Sequence, residues 1–236
     1  MTDNSGKVAV VTGGSSGVGL ATAITLAGNG YTVAICGRRK ELLDSAVSQL
    51  DGDGHLALEA DLCSGEQAVS FARSVLERFG RVDVLVNNAG MAPLSPLEEV
   101  TDEQFEDTLS LNVRSIFYLT REFWPVMKEQ GSGTVVNVSS LAAVDPFPGF
   151  SVYGASKAWV DLFAKALGAE GAELGIRVCS IRPGAVETPL LRSLFPDFPA
   201  EQCVSPQDVA DVIAACIEQP EKYPSGQAFE VTNQPR

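Results

Sequence analysis

The 236-residue chain carries 17 Lys+Arg against 30 Asp+Glu, a formal charge of −13, with 45% apolar and 20% charged residues. That balance excludes a disordered chain. With no basic run longer than Arg38-Arg39-Lys40, it also argues against nucleic acid or an anionic membrane surface as partner. The length fits one domain over residues 1–236.

In chain order, the opening MTDNSGK has no basic n-region and no long apolar h-region, so a cytoplasmic protein is expected. An apolar strand at 8–11 runs into Thr12-Gly13-Gly14-Ser15-Ser16-Gly17-Val18-Gly19 and a helix over 17–28. Glycines at 13, 17 and 19 allow a sharp turn and close backbone approach. The following helix offers free N–H groups to a phosphate. Gly13, Ser15, Ser16, Gly17, Val18 and Gly19 are therefore cofactor-binding candidates. The same residues spell GxSxG, the nucleophile-elbow pattern of hydrolases. That reading needs a downstream histidine, and the only one, His55, follows too closely.

A second strand at 31–36 ends at Gly37-Arg38-Arg39. No acidic residue stands there to accept from a ribose 2′-hydroxyl, and two arginines can grip a 2′-phosphate. This favours NADP(H) and leaves NAD(H) possible. Further strands are expected at 55–60, 82–86, 134–138, 176–181 and 228–232, and helices near 39–50, 65–79, 102–129, 152–173 and 206–218. Short Val/Ile-rich runs alternating with helices predict an α/β fold: a doubly wound, seven-stranded parallel sheet (Rossmann fold) in three α/β/α layers. Asn137-Val138-Ser139 matches a glycosylation pattern by chance, inside a strand-like run. The five cysteines are scattered and no metal site is expected.

Tyr153 and Lys157 lie four apart and share a helix face. An ammonium nearby favours the phenolate and lowers the tyrosine pKa, making the pair a general acid/base. Ser140, just past a strand end, can hydrogen-bond a carbonyl oxygen. Asn88, Ala89 and Gly90 follow the fourth strand at the same edge. Asn112 sits inside a helix, where it serves either as structural glue or in a water relay. The stretch 183–204 holds four prolines with Leu190, Leu191, Leu194, Phe195 and Phe198, and reads as a lid over a substrate. Phe147 and Phe150 lie in the loop before Tyr153. Together these favour a medium-sized, partly apolar carbonyl compound. Phe147, Leu190, Leu191 and Phe195 are its contacts, beside Ser140 and Tyr153.

Residues 12–19, Asp61, 87–90, Asn112, Ser140, Tyr153, Lys157 and Pro183-Gly184 with Thr188 together resemble the classical short-chain dehydrogenase/reductase (SDR) family in order and spacing. The resemblance implies an oxidoreductase that moves hydride between a nicotinamide and a ketone, aldehyde or secondary alcohol. Tyr153 is then the general acid/base, and Lys157 holds the nicotinamide ribose and lowers the tyrosine pKa. Ser140 orients the carbonyl, and Asn112 holds a water linking Lys157 to solvent. Asp61 and Leu62 flank the adenine, and Asn88 and Ala89 the adenosine ribose. Pro183, Gly184, Val186 and Thr188 border the nicotinamide. A homodimer or homotetramer follows from the same resemblance, through the 102–129 and 152–173 helices. Three features depart from the family pattern. Ser16 is not basic, the substrate loop is short, and the end from Glu230 lacks Asp-Gly-Gly. Two alternatives stay open: a 3-oxoacyl-carrier-protein-reductase-like enzyme, and a non-catalytic cofactor-sensing or interaction protein on the same fold.

Overall fold

A computed structural model describes residues 4–233. Seven strands form one all-parallel sheet: β1 (Val8–Thr12), β2 (Thr32–Gly37), β3 (Leu56–Glu59), β4 (Val84–Asn87), β5 (Gly133–Val138), β6 (Ile176–Pro183) and β7 (Ala228–Val231). The order is β3-β2-β1-β4-β5-β6-β7. It reverses between β1 and β4, and a crevice opens there at the carboxyl ends of the strands. Successive strand residues face opposite sides. Val11, Ile35, Val86 and Val136 enter one core layer; Val10, Leu85, Val135 and Val178 enter the other. Both faces are covered, which is why the strands are apolar runs rather than alternating ones.

The helices are α1 (Gly17–Gly28), α2 (Lys40–Val47), α3 (Gly65–Phe79), α4 (Asp102–Leu109), α5 (Ser115–Gln130), α6 (Ser151–Gly171), α7 (Pro189–Leu194) and α8 (Pro206–Glu218). Side chains cap α3, α4 and α8 through Ser64, Thr101 and Ser205. The single helix expected over 102–129 is corrected to α4 and α5, joined by a π-helical stretch, Ser110–Arg114. The Ser115 hydroxyl donates to the Leu111 carbonyl (2.5 Å), and Asn112 turns fully inward. Hydrophobic periodicity registers both helices and is blind to one inserted residue.

The 183–204 segment is more ordered than its prolines suggest. Pro189 opens α7, with Thr188 Oγ1 accepting from the Leu191 amide (3.2 Å). Backbone bonds between Glu187 and Val204 (3.0 Å) and between Val204 and Ala185 (2.8 Å) pin its two ends together. The start of the chain read for a signal peptide includes residues 1–3, and the end compared with the family pattern includes residues 234–236; both stretches lie outside the described residues. No described helix is long and apolar enough to cross a membrane.

His55 is structural. Its Nδ1 accepts from the Val33 amide (3.0 Å), and Nε2 faces the Asp51 carbonyl (2.9 Å). Asn137 lies fully buried in β5, hydrogen-bonded to Asn87 (2.8 Å). All five cysteines are free thiols, and all but Cys63 are buried. Among the described residues no group of three His, Cys, Asp or Glu side chains could hold a metal ion.

Candidate active site

A cleft of about 790 Å³ runs along the carboxyl ends of the strands. One end is built by the β1–α1 turn. Gly13 and Gly17 have φ of 65° and 53°, conformations that L side chains rarely adopt. Ser16 starts α1 in an extended conformation with no side-chain cap, and no acidic residue stands in the first turn. The α1 amides are thus left for a ligand, unlike those of α3, α4 and α8. Thr12 organises this end. Its hydroxyl accepts from the amides of Asn88 and Ala89 (2.9 Å each), while Asn88 Nδ2 donates to the Thr12 carbonyl (2.9 Å). These bonds lock the ends of β1 and β4 together.

Arg38 and Arg39 line the cleft beyond β2 and are exposed; neither joins an ion pair among the described residues. Asp61, two residues past the end of β3, also lines this end, its Oδ1 accepting from the Cys63 amide (3.0 Å). The donor set at this end, uncapped amides and two uncommitted guanidinium groups, fits an anionic dinucleotide.

The chemistry-bearing side chains sit mid-cleft. Tyr153 is in the first turn of α6, and Lys157 lies one turn on, its Nζ 5.8 Å from the Tyr153 ring centroid. Lys157 is buried, and Nζ donates to the Val138 carbonyl (2.8 Å). Burial pulls its pKa down to about 8, and Asp161, one further turn along, pushes the other way. Burial raises the Tyr153 pKa, and the Ser140 side chain, hydrogen-bonded to it, draws it back. The Lys157 ammonium lies over the ring and donates to the Val138 carbonyl.

Asn112 stands behind the wall. Its Oδ1 accepts from the Met91 amide (2.9 Å), and Nδ2 donates to the Met91 carbonyl (2.8 Å) and to Ser156 Oγ (3.0 Å). A side chain at Gly90 would lie 3.3 Å from Asn112 Oδ1 and 3.4 Å from Lys157 Nζ. Asn112, Gly90 and Lys157 are therefore one packed unit.

Of the residues read from sequence, Gly13, Ser15, Ser16, Gly17, Val18, Arg38, Arg39, Asp61 and Leu62 line the cleft, as do Asn88, Ala89, Gly90, Pro183, Gly184, Val186 and Thr188. So do Ser140, Phe147, Tyr153, Lys157, Leu190, Leu191 and Phe195. Gly19 does not; it packs against the turn from behind, where a Cβ would fall 2.3 Å from the Gly13 carbonyl oxygen. Sequence reasoning passed over Met91, Leu111, Leu141 and Asp145, which also line it. They come from loops and the π-helical turn, and no local pattern marks such positions.

The chain matches the short chain dehydrogenase family over residues 7–198. It is 34% identical to an uncharacterized oxidoreductase of Staphylococcus saprophyticus, over 91% of this chain and 92% of that one. Among solved structures, a 3-ketoacyl-(acyl-carrier-protein) reductase from Brucella melitensis, complexed with NADH, superposes with TM-score 0.88 at 34% identity. The match covers 96% of this chain and 97% of that one. An actinorhodin polyketide ketoreductase variant with NADPH gives 0.89 at 31%, covering 98% and 97%. The protein belongs to the short-chain dehydrogenase family. It is an oxidoreductase of that family, and the cleft at the β1–β4 switch point is its candidate active site.

Proposed function

We propose that the protein is an NADP(H)-dependent reductase of ketones or aldehydes, working in reverse on secondary alcohols, with Tyr153 as general acid/base. The observation that carries this is the juxtaposition of Tyr153, Ser140 and Lys157 mid-cleft, between a phosphate-binding turn and an apolar pocket. The nicotinamide supplies hydride when bound. The α1 turn, Arg38, Arg39, Asp61, Asn88 and Lys157 hold the cofactor. Ser140 donates to the carbonyl oxygen and fixes its position. Tyr153, a phenol protonated at neutral pH, gives its proton to that oxygen as negative charge develops. In sum, ketone, reduced cofactor and one proton give alcohol and oxidised cofactor. Asn112 holds the Met91 segment and Lys157 in register, and with them a water path to solvent.

Parallel NADPH and NADH titrations followed by nicotinamide fluorescence test the cofactor. Tighter NADPH binding that falls about tenfold in Arg38→Ala, with NADH unaffected, supports the reading. Equal affinities in the native protein refute the phosphate grip. Tyr153→Phe is expected to lower turnover by about 10²–10⁴ while leaving cofactor affinity intact. Undiminished turnover refutes the acid/base role. Exposed Phe105, Phe117 and Leu162 on α4, α5 and α6 support a homo-oligomer through those helices, read by size-exclusion chromatography.

A further inference from the structure

The substrate half of the cleft has a chemistry of its own. Phe147 and Phe150, from the loop before α6, pack with ring centroids 4.3 Å apart. Phe195, from the end of α7, meets both edge-on at 6.0 and 6.3 Å. Phe150 in turn lies 5.0 Å from the Tyr153 ring. The chain of rings therefore reaches from the proton donor to the mouth, where Phe147 is half exposed (49%). The charged side chains lining the cleft are Arg38, Arg39, Asp61, Asp145 and Lys157. The arginines and Asp61 belong to the dinucleotide end, and Lys157 is buried and bonded to Val138. Asp145, two residues before Phe147, is the only charge left to the substrate half. Arg192, the nearest lid cation, is held by Glu187 and by the carbonyls of Pro196 and Phe198. An anionic substrate thus finds no counter-charge and one repelling carboxylate.

Resting on the reductase reading above, we infer that the site takes uncharged ketones bearing an aromatic ring, seated against Phe147, Phe150 and Phe195, and discriminates against anionic carbonyl compounds through Asp145. A flat ring placed among three phenyl groups makes offset or edge-to-face contacts that a saturated ring of the same size cannot match, by a factor of about 2–10 per contact.

The test uses NADPH oxidation with three ketones whose carbonyls are electronically alike: 4-phenyl-2-butanone, 4-cyclohexyl-2-butanone, and 4-phenyl-2-butanone carrying a para-carboxylate. The inference expects kcat/KM for the phenyl ketone to exceed the cyclohexyl one by about tenfold and the carboxylate by about tenfold. Phe147→Leu, at an exposed position that keeps apolar volume, should bring the phenyl-to-cyclohexyl ratio near one. Asp145→Asn should raise the carboxylate's kcat/KM severalfold relative to that of 4-phenyl-2-butanone. Turnover of all three ketones at equal efficiency overturns the inference alone, as does a ratio that Phe147→Leu does not move. Failure to oxidise NADPH with any of them overturns the reductase reading and the inference with it. The wild-type ratios stand even if a variant fails to fold.

Discussion

Lys157→Met replaces a buried ammonium with a side chain of similar length and no charge. Burial lowers the Lys157 pKa from 10.5 to about 8 in the folded protein. Between those values the unfolded chain binds more protons than the native one, so stability from this group rises with pH. The penalty is complete below pH 8, fades through the window and is gone above 10.5. From pH 7 to pH 10 the two-site titration integrates to about 2.5 kcal/mol. The variant lacks this term, while titrating groups remote from Lys157 cancel in the comparison. At pH 7 the variant escapes roughly 3 kcal/mol of burial cost but leaves the Val138 carbonyl unpaired, at about 1–3 kcal/mol. It should therefore match or slightly exceed the native protein at pH 7. By pH 10 it should be less stable, the difference having moved by about 2.5 kcal/mol. Guanidinium unfolding followed by tryptophan fluorescence, at pH 7 and pH 10 and one protein concentration, reads this directly. Parallel stabilities at the two pH values would refute the claim that Lys157 is held charged at a cost to the fold. Turnover should be lost in the variant at both.

Gly19→Ala places a Cβ 2.3 Å from the Gly13 carbonyl oxygen and 2.5 Å from Asn88 Nδ2. Because the first contact is backbone, the turn must move. The expected result is about 1–3 kcal/mol of destabilisation and at least tenfold weaker cofactor binding by calorimetry, with an unchanged far-UV spectrum. Arg192→Ala releases the bonds from the lid to Glu187, Pro196 and Phe198. It should raise KM for ketones about tenfold, leave NADPH affinity alone and speed proteolysis within 189–199; an unchanged KM would show that the lid keeps its shape without the arginine.

Most of the fold was legible because parallel strands covered on both sides leave an unmistakable apolar signature. The helices expected near 17–28 and 65–79 coincide with α1 and α3 in the structure. What escaped was geometry that periodicity cannot hold. The π-helical turn at 110–114 changes which way Asn112 points without altering composition. Gly19, expected to bind the cofactor with the turn, lies in the first turn of α1 and packs against Gly13 from behind; spacing does not tell which side of a turn a residue occupies. The i,i+4 spacing of Tyr153 and Lys157 does put the ammonium over the ring. That the Ser140 side chain also reaches Tyr153 depends on how β5 and α6 pack, which spacing does not hold. Asp145 and Met91 enter the cleft only because loops fold back onto it, so nothing local could have announced them.

Two features that carry a folding cost lie at the site. Ser64, Thr101, Thr188 and Ser205 cap their helices, each accepting a hydrogen bond from a first-turn amide. Ser16 stands at the start of α1 without giving that bond, so the α1 amides are left uncapped at the cleft. Lysines are almost never fully buried without an ionic partner, yet Lys157 is buried with a backbone carbonyl as its hydrogen-bond acceptor. Asp161, the carboxylate closest along α6, is bonded by Arg182 Nε (2.7 Å), so its attraction for Lys157 is shared. Each feature costs folding free energy, and each leaves a donor facing, or next to, the space where an anionic dinucleotide and a polarised carbonyl fit. A sequence selected for stability alone would cap α1 and replace Lys157. Retaining both costs in one cleft, on either side of the β1–β4 switch point, is what a binding and catalytic role requires.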